Sequence, residues 1–191
     1  GFLNEPEYMI RSMGSTPYEM ARNPERYALD DILQAAEMVG KADLSAMEEA
    51  ADHPDSGVRF WAVIALQAMG SKAETAIPVL NGLLNDPSPV VQIEAAFALS
   101  ELGEADRALP VLGKWLKDDR DWLVLQSARA IECIGDKAEP LVPSLYEAMD
   151  RYAAEPGSNS KFRDGDFAFF ISMSLIYALE QCGEEFQHPL E

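Results

Sequence analysis

The chain has 191 residues, of which 48% are hydrophobic and 25% charged, and its 33 acids against 15 bases give a formal net charge of -18. That balance argues against chain-wide nucleic-acid binding, and the hydrophobic fraction is enough for a sizeable core, which excludes a disordered chain or a disulfide-stapled miniprotein. No apolar stretch approaches the ~20 residues a bilayer span needs, so insertion into a membrane is not expected. Residues 1 to 57 carry 12 acids and 4 bases, and 150 to 191 carry 8 and 3, so most of the excess sits at the two ends.

In chain order, residues 1 to 26 form an arm holding Phe2, Leu3, Met9, Ile10, Met13 and Met20 between short helical starts. Thr16-Pro17-Tyr18-Glu19 is a capping box with proline at the first helical position, and Asn23-Pro24 offers a second start. The arm has no glycine-closed hairpin; its apolar residues are expected to pack on the repeats that follow or on a domain outside this chain. Met9, Met13 and Tyr18 are its candidate interface residues.

From residue 27 to 191 a repeat organises the chain. Glycines at 40, 70, 103, 135 and 183 each close an alanine-rich apolar segment, and the first four are 30, 33 and 32 residues apart. Val58–Gly70, Val90–Gly103 and Trp122–Gly135 read as helices ended by a glycine in the left-handed C′ conformation. A second segment follows each of these glycines: Ala76–Leu84, Ala108–Leu116 and Glu139–Met149, with apolar residues at i, i+3 and i+4 and Pro78, Pro110 or Pro140 expected in the first turn. Ser88 and Asp121 are placed to cap the following helices. Three-turn helices do not persist alone, so the hairpins must stack, with Ala62, Ala65, Ala95, Ala98, Ala128 and Ala130 permitting close approach. The expected fold is all-α, a right-handed α-solenoid (an α-α superhelix) of four or five hairpins. The interval from Gly135 to Gly183 is 48 residues, and its surplus falls in 151–166, which reads as an inserted edge loop. Arg151, Lys161 and Arg163 are all the bases after residue 137, with Phe162 between two of them. A solvated loop is the favoured account of these four; the alternative makes them contacts to an anionic substrate or another domain.

The hairpins resemble HEAT-like repeats of the short kind: Asp-Pro-x-x-x-Val, an Ala-rich helix closed by Gly, then Ala-Leu-Pro-x-Leu. Asn85 to Asp118 follows this pattern nearly end to end. Gly14-Ser15-Thr16-Pro17-Tyr18-Glu19-Met20, Asn23-Pro24-Glu25-Arg26-Tyr27-Ala28-Leu29 and Asp31-Ile32-Leu33-Gln34-Ala35-Ala36, joined to such repeats, resemble the region after the catalytic domain in bacterial sulfatases of the heparan or N-sulfoglucosamine sulfohydrolase-like group. That resemblance implies an accessory region beside a catalytic domain of the same parent chain, and a periplasmic or extracellular parent that uses calcium and formylglycine. It places no catalytic, cofactor or metal residue here, because Cys133 precedes Ile-Gly-Asp-Lys and Cys182 precedes Gly-Glu-Glu-Phe, neither of them Cys-x-Pro-x-Arg. The other reading is an independent repeat scaffold that binds a protein partner along its second helices, with assembly into a homo-oligomer also open.

Local chemistry is sparse. Cys133 and Cys182 read as buried thiols outside any disulfide, since packed helix axes lie roughly 8–10 Å apart and a disulfide needs Cα atoms within about 7 Å. Asp52-His53-Pro54-Asp55 places an imidazole among carboxylates in an inter-hairpin turn, where it can serve a site or only the turn. Asp30-Asp31 and Asp118-Asp119-Arg120-Asp121 read as capping and solvated acids. Trp61, Trp115, Trp122, Phe60, Phe97 and Phe167 to Phe170 fall at helical spacing and are expected in the core.

Overall fold

A computed structural model describes residues 22, 28–153 and 165–185, and these are helical with no strand. The chain divides into two compact units, one ending at Leu102 and the other beginning at Gly103. The arm, with Met9, Met13 and Tyr18 and both of its helical starts, lies outside the described residues.

In the first unit, α1 (Leu29–Ala36), α2 (Leu44–Ala50), α3 (Ser56–Ala68), α4 (Ile77–Leu83) and α5 (Pro89–Glu101) follow one another. α1 and α5 both pack on α3, α2 also contacts α3, and α4 packs on α5. The alanines at 62, 65, 95 and 98 are all buried, together with Val63, Leu66, Leu80, Val91 and Leu99. Small side chains bring α1 close to α3: a Cβ added to Gly57 would stand 2.9 Å from Ile32 Cδ1. Asp43 and Asp55 cap α2 and α3, their carboxylates accepting from the amides of Ala46 and Gly57. Ser88 stands at the N-cap of α5 but makes no side-chain capping bond; the Asp86 carboxylate takes the Ser88 amide instead, at 2.7 Å.

The second unit holds α6 (Ala105–Trp115), α7 (Asp121–Ile134), α8 (Val142–Ala153) and α9 (Gly165–Gln181). α7 packs on α9, α8 on α9, and α6 on α7. Ala128, Ala130, Leu112, Leu123, Ile131, Leu145, Ile171 and Leu175 form its core. The Ser127 hydroxyl donates to the Leu112 carbonyl at 2.7 Å, joining α7 to α6 inside that core.

All five punctuating glycines have positive φ, from 57° to 91°. The second helices begin less uniformly than their prolines suggest. Pro78 is in the first turn of α4, but Pro110 lies inside α6, because the segment Ala105-Asp-Arg-Ala-Leu is already helical before it. Pro140 belongs to a 3-10 segment, Gly135–Leu141, that precedes α8. Asp121 is the first residue of α7 rather than its cap, the N-cap position being Arg120. The expected loop 151–166 overlaps helix at both ends: Arg151 is in the last turn of α8, and α9 begins at Gly165. Lys161, Phe162 and Arg163 lie outside the described residues.

Candidate functional site

The polar centre of the first unit is Arg59 on α3. Its Nε and Nη2 donate to the two Asp86 carboxylate oxygens at 2.6 and 2.8 Å, while Nη1 donates to the carbonyls of His53 and Pro54 at 2.7 and 2.9 Å. One fork-shaped guanidinium thereby joins the turn before α3 to the turn before α5. Both side chains are deeply buried, at 10% and 3% relative exposure, so the pair is a fixed structural node.

A groove of about 620 Å³ opens over this node, lined by His53, Asp52, Arg59, Val79 and Pro87 among others. The His53 Nδ1 accepts the Asp55 amide at 3.1 Å, which leaves Nε2 to carry the proton of the neutral ring, 3.7 Å from Asp31 Oδ2. The Asp52-His53-Pro54-Asp55 turn is thus spent on local geometry and on a link to α1. Among the described residues no three His, Cys, Asp or Glu side chains converge on one point.

A second feature of the first unit is the seam between α3 and α5. The Gln67 amide donates to Glu101 Oε2 across it at 2.8 Å. Seven residues earlier on each helix, two turns back along the same faces, stand Phe60 and Glu94. Phe60, Ile64 and Phe97 are half-buried along this seam. Burial pushes the Glu94 carboxyl up to about 7, with repulsion from Glu101 adding to the effect.

In the second unit Trp115 is buried, with the Lys114 ammonium 4.1 Å from its ring centroid. Arg151 is anchored: its guanidinium donates to the carbonyls of Leu116 and Asp118, just beyond the C-terminus of α6. The nearby Asp118 carboxyl is held below the usual carboxylate range, chiefly by its hydrogen bond from Arg120. Tyr152 closes the same corner, its hydroxyl donating to Asp121 at 2.7 Å.

The expectation that the aromatic residues are core holds for Trp115; Phe60, Trp61, Phe97 and Trp122 are only half-buried, and it fails for Phe169 and Phe170 on α9. Phe169 and Phe170 are 53% and 57% exposed, and Tyr177, two turns along, is 40% exposed. The apolar character of α9 is nearly continuous around the helix, so periodicity could not say which aromatics face out. The cysteine reading also needs correcting: neither is in a disulfide, but Cys133 is exposed and Cys182 only half-buried. Cys133 sits on the outer face of α7, whereas Cys182 donates its thiol to the Gly135 carbonyl at 3.6 Å, and burial raises its pKa.

Among the described residues, no helix is long and apolar enough to cross a membrane. Residues 44–132 match the family model for HEAT repeats. Comparison with curated proteins found no match. Residues 44–132 therefore carry HEAT-like repeats, and the described residues have an all-α, solenoid-class fold; neither comparison relates the chain to a sulfatase.

Proposed function

We propose that this HEAT-like repeat chain is a noncatalytic scaffold that binds a protein partner through exposed helix faces. The observation that carries the reading is the α9 face, where Phe169, Phe170 and Tyr177 leave large apolar surface in water. Exposed aromatics grouped on one helix face are what partner surfaces present, and burying them on association is favourable by about 25 cal/mol per Å² before the cost of binding. The test is affinity capture from the source cell with the wild-type chain and with Phe169→Ser/Phe170→Ser, identifying retained proteins by mass spectrometry. A partner held by the first and lost by the second, with helical circular dichroism unchanged, supports the scaffold. Identical capture by both overturns it for this face.

A finer form of the reading makes the chain the C-terminal accessory region of a sulfatase-family hydrolase acting on sulfated sugars, where it braces the catalytic domain or mediates assembly. It rests on the resemblance of residues 14–36, joined to HEAT-like repeats, to the region after the catalytic domain in that group. The residues here do not suit that family's formylglycine or calcium: Cys133 and Cys182 lack the Pro and Arg of Cys-x-Pro-x-Arg, and the described acids do not converge. The reading frame upstream of Gly1 decides the matter. An α/β domain carrying Cys-x-Pro-x-Arg or its Ser variant supports the accessory role, and any other neighbour removes it.

A further inference from the structure

We infer that the seam between α3 and α5 is a docking surface for a cationic amphipathic segment of a partner protein, with Phe60, Ile64 and Phe97 taking its apolar side chains and Glu94 and Glu101 its lysines or arginines. The inference rests on the scaffold reading above and narrows it to a surface and a partner chemistry.

Register comes first. The Gln67–Glu101 bond fixes α3 alongside α5 at one end of the seam. Phe60, Ile64 and Gln67 are spaced i, i+4, i+7 on α3, and Glu94, Phe97 and Glu101 are spaced i, i+3, i+7 on α5, so each set lies along one helix face. The five seam residues other than Glu101 are half-buried, and Glu101 is exposed. The result is an apolar strip with a carboxylate near each end of α5's contribution, the two lying seven residues or roughly 10 Å apart along the axis.

Charge then selects the occupant. Among the described residues the Glu94 carboxylate has no hydrogen bond or ion pair, and the charge acting on it is that of Glu101, which is repulsive. Among the described residues α3, α4 and α5 offer no cation: α4 carries no charged residue, and the single base on α3 and α5, Arg59, is committed to Asp86, while the exposed Lys72 between α3 and α4 is not among the charges acting on Glu94. A half-buried carboxylate beside a like charge is an unfavourable arrangement for the unbound chain, and a cation brought by a partner relieves it. Burial of that cation against Phe97 adds an attraction to the aromatic face. The corresponding seam in the second unit differs, because α7 there presents Arg129 already paired with Glu132. The pattern of apolar strip plus uncompensated acids therefore belongs to α3 and α5.

The test uses the full chain and a labelled eighteen-residue Leu/Lys amphipathic helical peptide with two lysines seven residues apart, followed by fluorescence anisotropy, with a Leu/Glu peptide of the same pattern alongside. The wild-type chain is expected to bind the lysine peptide and not the glutamate one. Glu94→Gln/Glu101→Gln and, separately, Phe97→Ala are each expected to weaken binding about tenfold. Removing two exposed acids on α1 and α2, by Asp30→Asn/Glu49→Gln, is expected to leave affinity unchanged. Glu94→Gln keeps the shape of the neutral acid, so a folded protein is expected and thermal melts verify it. Absence of binding to the wild-type chain overturns the proposal, as does equal weakening by the distant acid pair, which means binding to net charge alone. Either result leaves the α9 capture experiment standing, so failure of the seam is distinguishable from failure of the scaffold reading.

Discussion

Arg59 shows how one side chain can hold two turns of a repeat protein together. Its fork fills both oxygens of Asp86 and its remaining arm satisfies two carbonyls, so the buried charge is neutralised and nearly fully hydrogen-bonded. Removing one member of such a pair leaves the other charged and dry. Arg59→Met is expected to lower unfolding free energy by about 3–5 kcal/mol, read by urea denaturation, and Arg59→Met/Asp86→Leu is expected to recover part of that loss. Glu94 works in the opposite direction. Its folded pKa of about 7 lies above the ordinary 4.5, so its contribution to stability is fully present below about pH 4.5 and is lost as pH rises through about 7. The groups facing it from its own helix and from α3 and α4 add only Glu101, which has the same charge. Glu94→Gln is expected to melt higher than the wild-type chain at pH 8 and to match it near pH 4; a melting temperature that falls at pH 8 contradicts this assignment.

The helices obey their local chemistry most closely where glycine ends them. Gly135 follows α7 with φ 71° and ψ -139°, a region that L side chains rarely enter, so Gly135→Ala is expected to cost about 1–3 kcal/mol. Gly82 is the contrast: it is exposed in the helical interior of α4, and a Cβ there meets nothing within 4 Å, so Gly82→Ala is expected to gain up to about 1 kcal/mol. Thermal melts of the two variants should therefore move in opposite directions. This contrast also marks what the sequence makes legible. The repeat period, the five positive-φ glycines and the buried alanines can be read from spacing, because each follows from a backbone or packing rule that acts within a few residues. Pro110 misleads because a proline tolerated inside a helix looks, in sequence, like one that begins it. The Arg59–Asp86 node is separated by 27 residues, and no local pattern joins its members. The same holds for Arg151, which reads as a loop cation only until α6 is folded beneath it. Phe169 and Phe170 are hidden by a different ambiguity, since a helix that is apolar all round gives no phase from which to choose a face.

At the scale of the whole molecule the charge of -18 acts as a diffuse self-repulsion that the folded chain must carry. Raising ionic strength from 0.01 to 0.15 M shortens the Debye length from about 30 to 8 Å and is expected to stabilise the chain by about 1 kcal/mol, a melting-temperature rise of about 2–4 °C. Unchanged melting across that range would mean that local ion pairs already compensate the excess. The two units give the molecule its internal divisions, and in the second of them the Arg151 anchor has a consequence for cleavage. Arg151 belongs to α8 yet satisfies the carbonyls left over at the end of α6, and α9 is held against α7 and α8 by buried contacts. Severing the backbone between Ala153 and Gly165, at a specific protease site engineered there, leaves both arrangements in place, because every residue that makes them lies outside that interval. The nicked product should therefore migrate as two bands under denaturing conditions and as one species in native gel filtration, whereas trimming back past Arg151 should release the end of α6 and open the unit to further digestion.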